Sequence, residues 1–169
     1  MRNFENKEKI AQVSRVFEFL CGACVLFWGF LGIESAYAVF SWFLDAAFYS
    51  ASARPNLNAW FWYGTLATGI EVLVWWNLYR FFGRLAGGCL FDRLTVQRLA
   101  VAGKLKLASW GFAWVPFLVA TVRTGFYWPG KSWMGMGEMG GLTGAVAILF
   151  MAWLLREGQS LQEEQELTV

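Results

Sequence analysis

The sequence predicts an all-α integral membrane protein: one domain, residues 1–169, folded as a four-helix transmembrane bundle with both termini in the cytoplasm. Three observations carry that prediction. Hydrophobic residues make up 57% of the 169-residue chain and charged residues only 15%, against roughly 45–50% and about 25% in soluble domains. So few charges cannot cover so much apolar surface, which argues against a soluble enzyme. Four separate segments are long and apolar enough to cross a bilayer core about 30 Å thick, a distance that takes roughly 20 helical residues. The basic residues fall asymmetrically between those segments. Aromatics at 19% exclude a disordered chain, and 3 cysteines are too few for a disulfide-stapled scaffold. With no His at all, Ser-His-Asp triads, His-ligated haem and His metal sites are absent.

The first span covers 16–44 and is longer than lipid requires, so it tilts or projects. The preceding MRNFENKEKIAQVSR mixes charges and ends in no small-residue cleavage site, so this helix is read as retained. The second span covers 59–82. The third covers 99–122, most apolar after Lys106, with Pro116 placed to kink it. The fourth covers 139–155, and Gly158 is expected to end it. Arg2, Lys7, Lys9, Arg15, Arg80, Arg84, Arg93, Arg98, Lys104, Lys106 and Arg156 lie at one end of these spans, and Arg54, Arg123 and Lys131 at the other. The larger set marks the cytoplasmic side, which predicts a multi-pass membrane protein with both termini cytoplasmic. The net charge of +2 is therefore a topology signal and not a nucleic-acid surface. Trp60, Trp62 and Tyr63 at the outer end of the second span, and Tyr79, Phe81 and Phe82 at its inner end, fit interfacial aromatic belts.

Helices in lipid associate through close approach at small residues. Gly22, Gly29 and Ala36 recur at steps of seven on the first helix; Gly137, Gly140, Gly141 and Gly144 form overlapping pairs on the fourth. These are read as seams of an intramolecular bundle, with a homo-oligomer left open. Glu71 is the sharpest polar signal, because a charge near mid-span costs about 2.5–3.5 kcal/mol on insertion scales. It shares a helical face with Gly64, Ala67 and Thr68. Two readings stand: a proton, cation or ligand site, or a carboxyl that holds the bundle together through Thr68, Ser109 or Thr121. Glu34, near the outer lipid boundary, joins Thr68 and Glu71 as a candidate polar site; with Arg123 and Glu138 it outlines an outer mouth.

The Cys21-Gly-Ala-Cys24 stretch has thiol–disulfide spacing, but it falls at the cytoplasmic end, where thiols stay reduced, as does Cys89. No catalytic set, cofactor or metal site is predicted. The connection from 87 to 106 is the most structured of the chain: Gly87–Gly88 stops the second helix, and Asp92 caps a new one through its carboxylate. Leu94, Val101 and Leu105 with Arg98, Lys104 and Lys106 then form a basic amphipathic entry into the third span. The tail REGQSLQEEQELTV is acidic, with Glu157, Glu163, Glu164 and Glu166 against Arg156.

The stretch GGCLFDRLTVQRLAVAGKL resembles a G-x-x-F-[ST/D] motif with a following L-x-x-[IA]-G, and the tail resembles an E-G-x-x-L…L-T-V ending. Both are similar to a bacterial membrane family, domain of unknown function 2975. Gly88, Phe91, Asp92, Leu99 and Gly103 take the first motif's positions, and Glu157, Gly158, Leu161, Glu164, Leu167, Thr168 and Val169 the second's. This chain differs in its richness in Trp and in carrying Asp92 where a hydroxyl residue is common. The resemblance implies four spans, no known activity, and frequent linkage to a small helix-turn-helix regulator. The expected function is therefore non-enzymatic: besides the lipid bilayer, a cytoplasmic protein partner held by Phe91, Asp92, Arg93, Arg98, Glu157, Leu161, Glu164 and Leu167, without direct nucleic-acid binding. The alternative is a small transporter, channel component or membrane-complex subunit that uses Glu71.

Overall fold

The computed structural model describes residues 2–48, 59–89, 92–124 and 137–167. They form four α-helices: α1 (Arg2–Phe48), α2 (Ala59–Ala86), α3 (Arg93–Thr124) and α4 (Gly137–Leu167). Each apolar segment lies within its own helix, but the helices outrun those segments. With 47 residues, α1 is about 70 Å long. Its start, RNFENKEKIAQ, is polar yet made largely of helix formers, so the turns continue without an apolar period to announce them. α4 corrects an expectation in the same way. Gly158 does not end it; the helix continues to Leu167 through QSLQEEQEL, whose Gln, Glu and Leu outweigh the roughly 1 kcal/mol that one glycine costs.

The end of α2 is the one expected. Gly88 has φ +83°, a left-handed conformation that side chains disfavour. The Gly88 amide donates to the Leu85 carbonyl at 3.0 Å and the Cys89 amide to the Arg84 carbonyl at 3.1 Å, the pairing of a Schellman cap. The start of α3 differs in one detail. Asp92 stands at the cap position and its carbonyl accepts from the Thr95 and Val96 amides. Its carboxylate, expected on the backbone amides, instead accepts from Arg84 and ties α2 to α3 across the turn. α3 then runs as one helix through Pro116.

The helices pack in chain order, α1 on α2, α2 on α3 and α3 on α4; among the described residues α1 and α4 share no comparable seam. The array is thus more open than the expected bundle. Side-chain contacts fix its register. Gly22 faces Tyr79, Phe17 stacks on Phe82 with ring centroids 5.2 Å apart, and Gly32 faces Thr68. Gly103 receives Leu149 and Ile148 from α4, and Gly141 receives Trp110. The predicted small-residue seams hold only in part: Gly22 and Gly141 meet a neighbour, while Gly29 and Gly144 face open space and Ala36 is exposed. Gly137 and Gly140 are helical, and their packing lies outside the described residues. A step of seven keeps residues on one stripe only if the partner supercoils with it; here α2 follows Cys21, Gly22 and Gly32 instead.

The core gathers Cys21, Val74, Leu78, Phe81, Leu99, Ala102 and Ala152, all toward the end of the helices that carries the α2–α3 turn. Outside it, α1 and α4 expose long apolar faces, including Phe19, Leu26, Ile33, Val146, Phe150 and Trp153. Two stretches, Glu8–Tyr37 and Gly141–Leu161, are long and apolar enough to cross a membrane, and little of either is buried.

Candidate functional site

The α2–α3 seam positions the polar site. Glu71 lies near the middle of α2 and is buried. Its Oε1 accepts from Lys106 Nζ at 2.6 Å and from Ser109 Oγ at 2.8 Å. Lys106 and Ser109 are three apart on α3, one above the other on the same face, so a single approach of α3 delivers both donors. The Glu71 side chain is 9% exposed and that of Lys106 25%. Glu71 Oε2 is buried and has no hydrogen-bond partner among the described residues. Two opposite charges in contact cancel, so the site is neutral overall.

A second ion pair, Arg84 with Asp92, crosses the same two helices at the turn. It has the reverse polarity: base on α2 and acid at the cap of α3. Between the two pairs the seam is apolar, with Val74, Leu78 and Phe81 of α2 near Leu99 and Ala102 of α3. α2 and α3 are therefore pinned by one charged contact at depth and another at their joined ends.

Of the residues expected at a polar site, the structure brings Glu71 and Ser109 together. Thr68 instead lies against Gly32 of α1, and Glu34 is exposed on α1. The side chains of Arg123, Glu138 and Thr121 lie outside the described residues. Lys106, assigned from sequence to the cytoplasmic connection, is the partner that was missed. Its signal was its spacing: three residues before Ser109, on the face already proposed to meet Glu71. On the expected docking surface, Arg93, Glu157, Leu161 and Glu164 are exposed and Asp92 and Arg98 half-buried. Phe91 and the side chain of Leu167 lie outside the described residues. Of the connection from 87 to 106, everything from Arg93 onward is α3; Leu94 and Val101 are exposed, and Leu105 packs against the core. Cys21 is buried, Cys24 half-buried and Cys89 exposed, all as free thiols. Among the described residues no group of His, Cys, Asp and Glu is placed to hold a metal ion.

Fold and site together define an all-α protein in which two apolar outer helices flank an inner hairpin pinned by buried charge. The chain belongs to the DUF2975 family of proteins of unknown function, whose model matches residues 46–169. Both sequence motifs fall inside that match, and most of α1 lies before it. No curated protein and no solved structure matches the chain.

Proposed function

We propose that the protein is a non-enzymatic, multi-pass protein of the bacterial inner membrane whose α2–α3 turn and α4 tail form a docking surface for a cytoplasmic protein, of which a helix-turn-helix regulator is the leading class. The observation that carries this reading is the course of α4. Gly103 of α3 lies beside Ile148 and Leu149, so the first turn of α3 is level with residue 158. The remaining turns of α4, to Leu167, therefore project about 13 Å beyond the start of α3. They project at the end that carries the α2–α3 turn, with Leu161, Glu163 and Glu164 exposed. Membrane residence is supported by the outward apolar faces of α1 and α4, since a soluble protein rarely exposes apolar patches of such extent. The cytoplasmic orientation is supported by the basic residues at this end.

Reporters fused at residue 1, within 84–98 and at residue 169 all read as intracellular on this reading; an extracellular signal from any of them removes it. Purification in mild detergent recovers one cytoplasmic protein in fixed ratio, and deleting 159–169 abolishes recovery while leaving the membrane level of the chain unchanged. Recovery that survives the deletion removes the tail from the surface.

A further inference from the structure

Three buried polar atoms without a partner among the described residues lie within one helical turn of the Glu71–Lys106 contact, in a layer about two turns deep across α2 and α3. Glu71 Oε2 is a buried acceptor with no partner among the described residues, on a side chain nine-tenths buried at 9% exposure. Trp75 Nε1 and Trp110 Nε1 are buried donors with none among the described residues. Trp75 is four residues from Glu71 on α2, and Trp110 is four from Lys106 on α3. Residues four apart share a helical face one turn away, and the Lys106–Glu71 contact fixes the two helices at this height. Because α2 and α3 run antiparallel, the two indoles flank the ion pair from opposite sides along the helix axis. Each is held by packing: Trp75 sits against the core, and the Trp110 ring borders Gly141 of α4.

The chemistry of a fitting occupant follows from charge and hydrogen-bond sense. Glu71 and Lys106 already cancel, so a cation meets the ammonium and an anion meets the carboxylate. The unmet groups are one oxygen acceptor and two N–H donors. A neutral hydroxyl answers both senses, since it donates through O–H and accepts through oxygen. Access exists: Lys106 keeps a quarter of its side chain exposed, at 25%, and among the described residues no comparable seam closes α1 onto α4.

We propose that this layer is a binding site for a neutral hydroxyl, carried either by water or by an amphiphile entering from the side. The hydroxyl donates to Glu71 Oε2 and its oxygen accepts from Trp75 Nε1; Trp110 Nε1 serves a second such group. The site is separate from the docking surface and does not depend on any partner there.

The test uses the full chain in lipid nanodiscs. The photoreactive alkanol 3-azioctanol is activated and the labelled positions are mapped by mass spectrometry. An amphiphile site gives label within 68–79 and 106–112 that excess 1-octanol suppresses and octane does not. Trp75→Phe keeps the ring and the ion pair, and lowers that label about fivefold or more, the loss expected for one hydrogen bond. A water site gives no such label but an O–H stretching band that shifts in H₂¹⁸O, present in the wild type and lost in Trp75→Phe and Glu71→Leu. Circular dichroism confirms helix content in each variant, and Trp75→Phe decides the matter if Glu71→Leu does not fold. Label that octane competes equally, or no label and no isotope-sensitive band, overturns the proposal.

Discussion

A carboxylate taken out of water loses more than one hydrogen bond returns, so Glu71 depends on the ammonium of Lys106. Removing one partner of a buried pair leaves the other charge stranded, whereas removing both leaves only a space to fill. Lys106→Met is therefore expected to destabilise the protein by about 3 kcal/mol, the lower end for a broken buried pair because Lys106 keeps some solvent contact. The double change Glu71→Leu with Lys106→Leu restores most of that loss. Equilibrium unfolding in mixed micelles measures both; a single-variant cost below about 1 kcal/mol would show a pair no tighter than a surface one. Glu71 was legible in the sequence because a charge inside an apolar run stands out locally. Lys106 was not, because it sits among other basic residues at the start of the third span. Its spacing from Ser109 sets it apart from them only once the register of α3 on α2, a tertiary property, is fixed.

At the scale of elements, backbone conformation and close approach decide which glycines matter. Gly88, at φ +83°, is expected to lose about 1–2 kcal/mol as Gly88→Ala, the cost of a Cβ in left-handed backbone. Gly103 answers to a different constraint. A Cβ there falls 2.8 Å from both Cγ and Cδ2 of Leu149 and 3.2 Å from Ile148, so Gly103→Ala forces α4 off α3 and costs about 1–3 kcal/mol. Gly158 reverses the sign. It lies inside a helix, so Gly158→Ala strengthens α4 by about 0.5–1 kcal/mol. Slower amide exchange across 159–164 is the readout, and unchanged exchange would mean that the tail's helix is held by something other than propensity. The stop at Gly87–Gly88 could be read from sequence because a Gly-Gly pair acts on its own backbone. The continuation past Gly158 could not, since a lone glycine weighs little against the Glu, Gln and Leu around it. The extent of α1 escaped notice likewise: hydropathy marks where a helix meets apolar surroundings, not where its hydrogen bonds stop.

Across the whole molecule, charge joins the inner helices: Glu71 of α2 pairs with Lys106 of α3, and Arg84 of α2 with Asp92 at the cap of α3. The outer helices α1 and α4 carry the apolar faces. Four helices and their order were legible because hydropathy reports each segment separately. Which pairs touch was not, because small-residue spacing such as that of Gly22, Gly29 and Ala36 fits several partners equally. The open side between α1 and α4 is the part of the architecture that cysteine pairs test most directly. With Cys21, Cys24 and Cys89 replaced by Ala, Gly32→Cys with Thr68→Cys is expected to form an intramolecular disulfide under mild oxidation. Thr68 Cγ2 lies 3.6 Å from where a Cβ at Gly32 would stand, so the Cβ of residue 68 stands one bond further off, close to the roughly 3.5–4.5 Å between bridged Cβ atoms. Gly29→Cys with Gly144→Cys is the contrasting pair, because each position faces open space and the two sit on helices without a comparable shared seam among the described residues. It is expected to stay reduced within one chain. An intramolecular bridge at 29–144 would show that α1 and α4 meet and that the four helices close. The layer around Glu71 would then have lost its side entrance, and an amphiphile could reach it only along the helix axes.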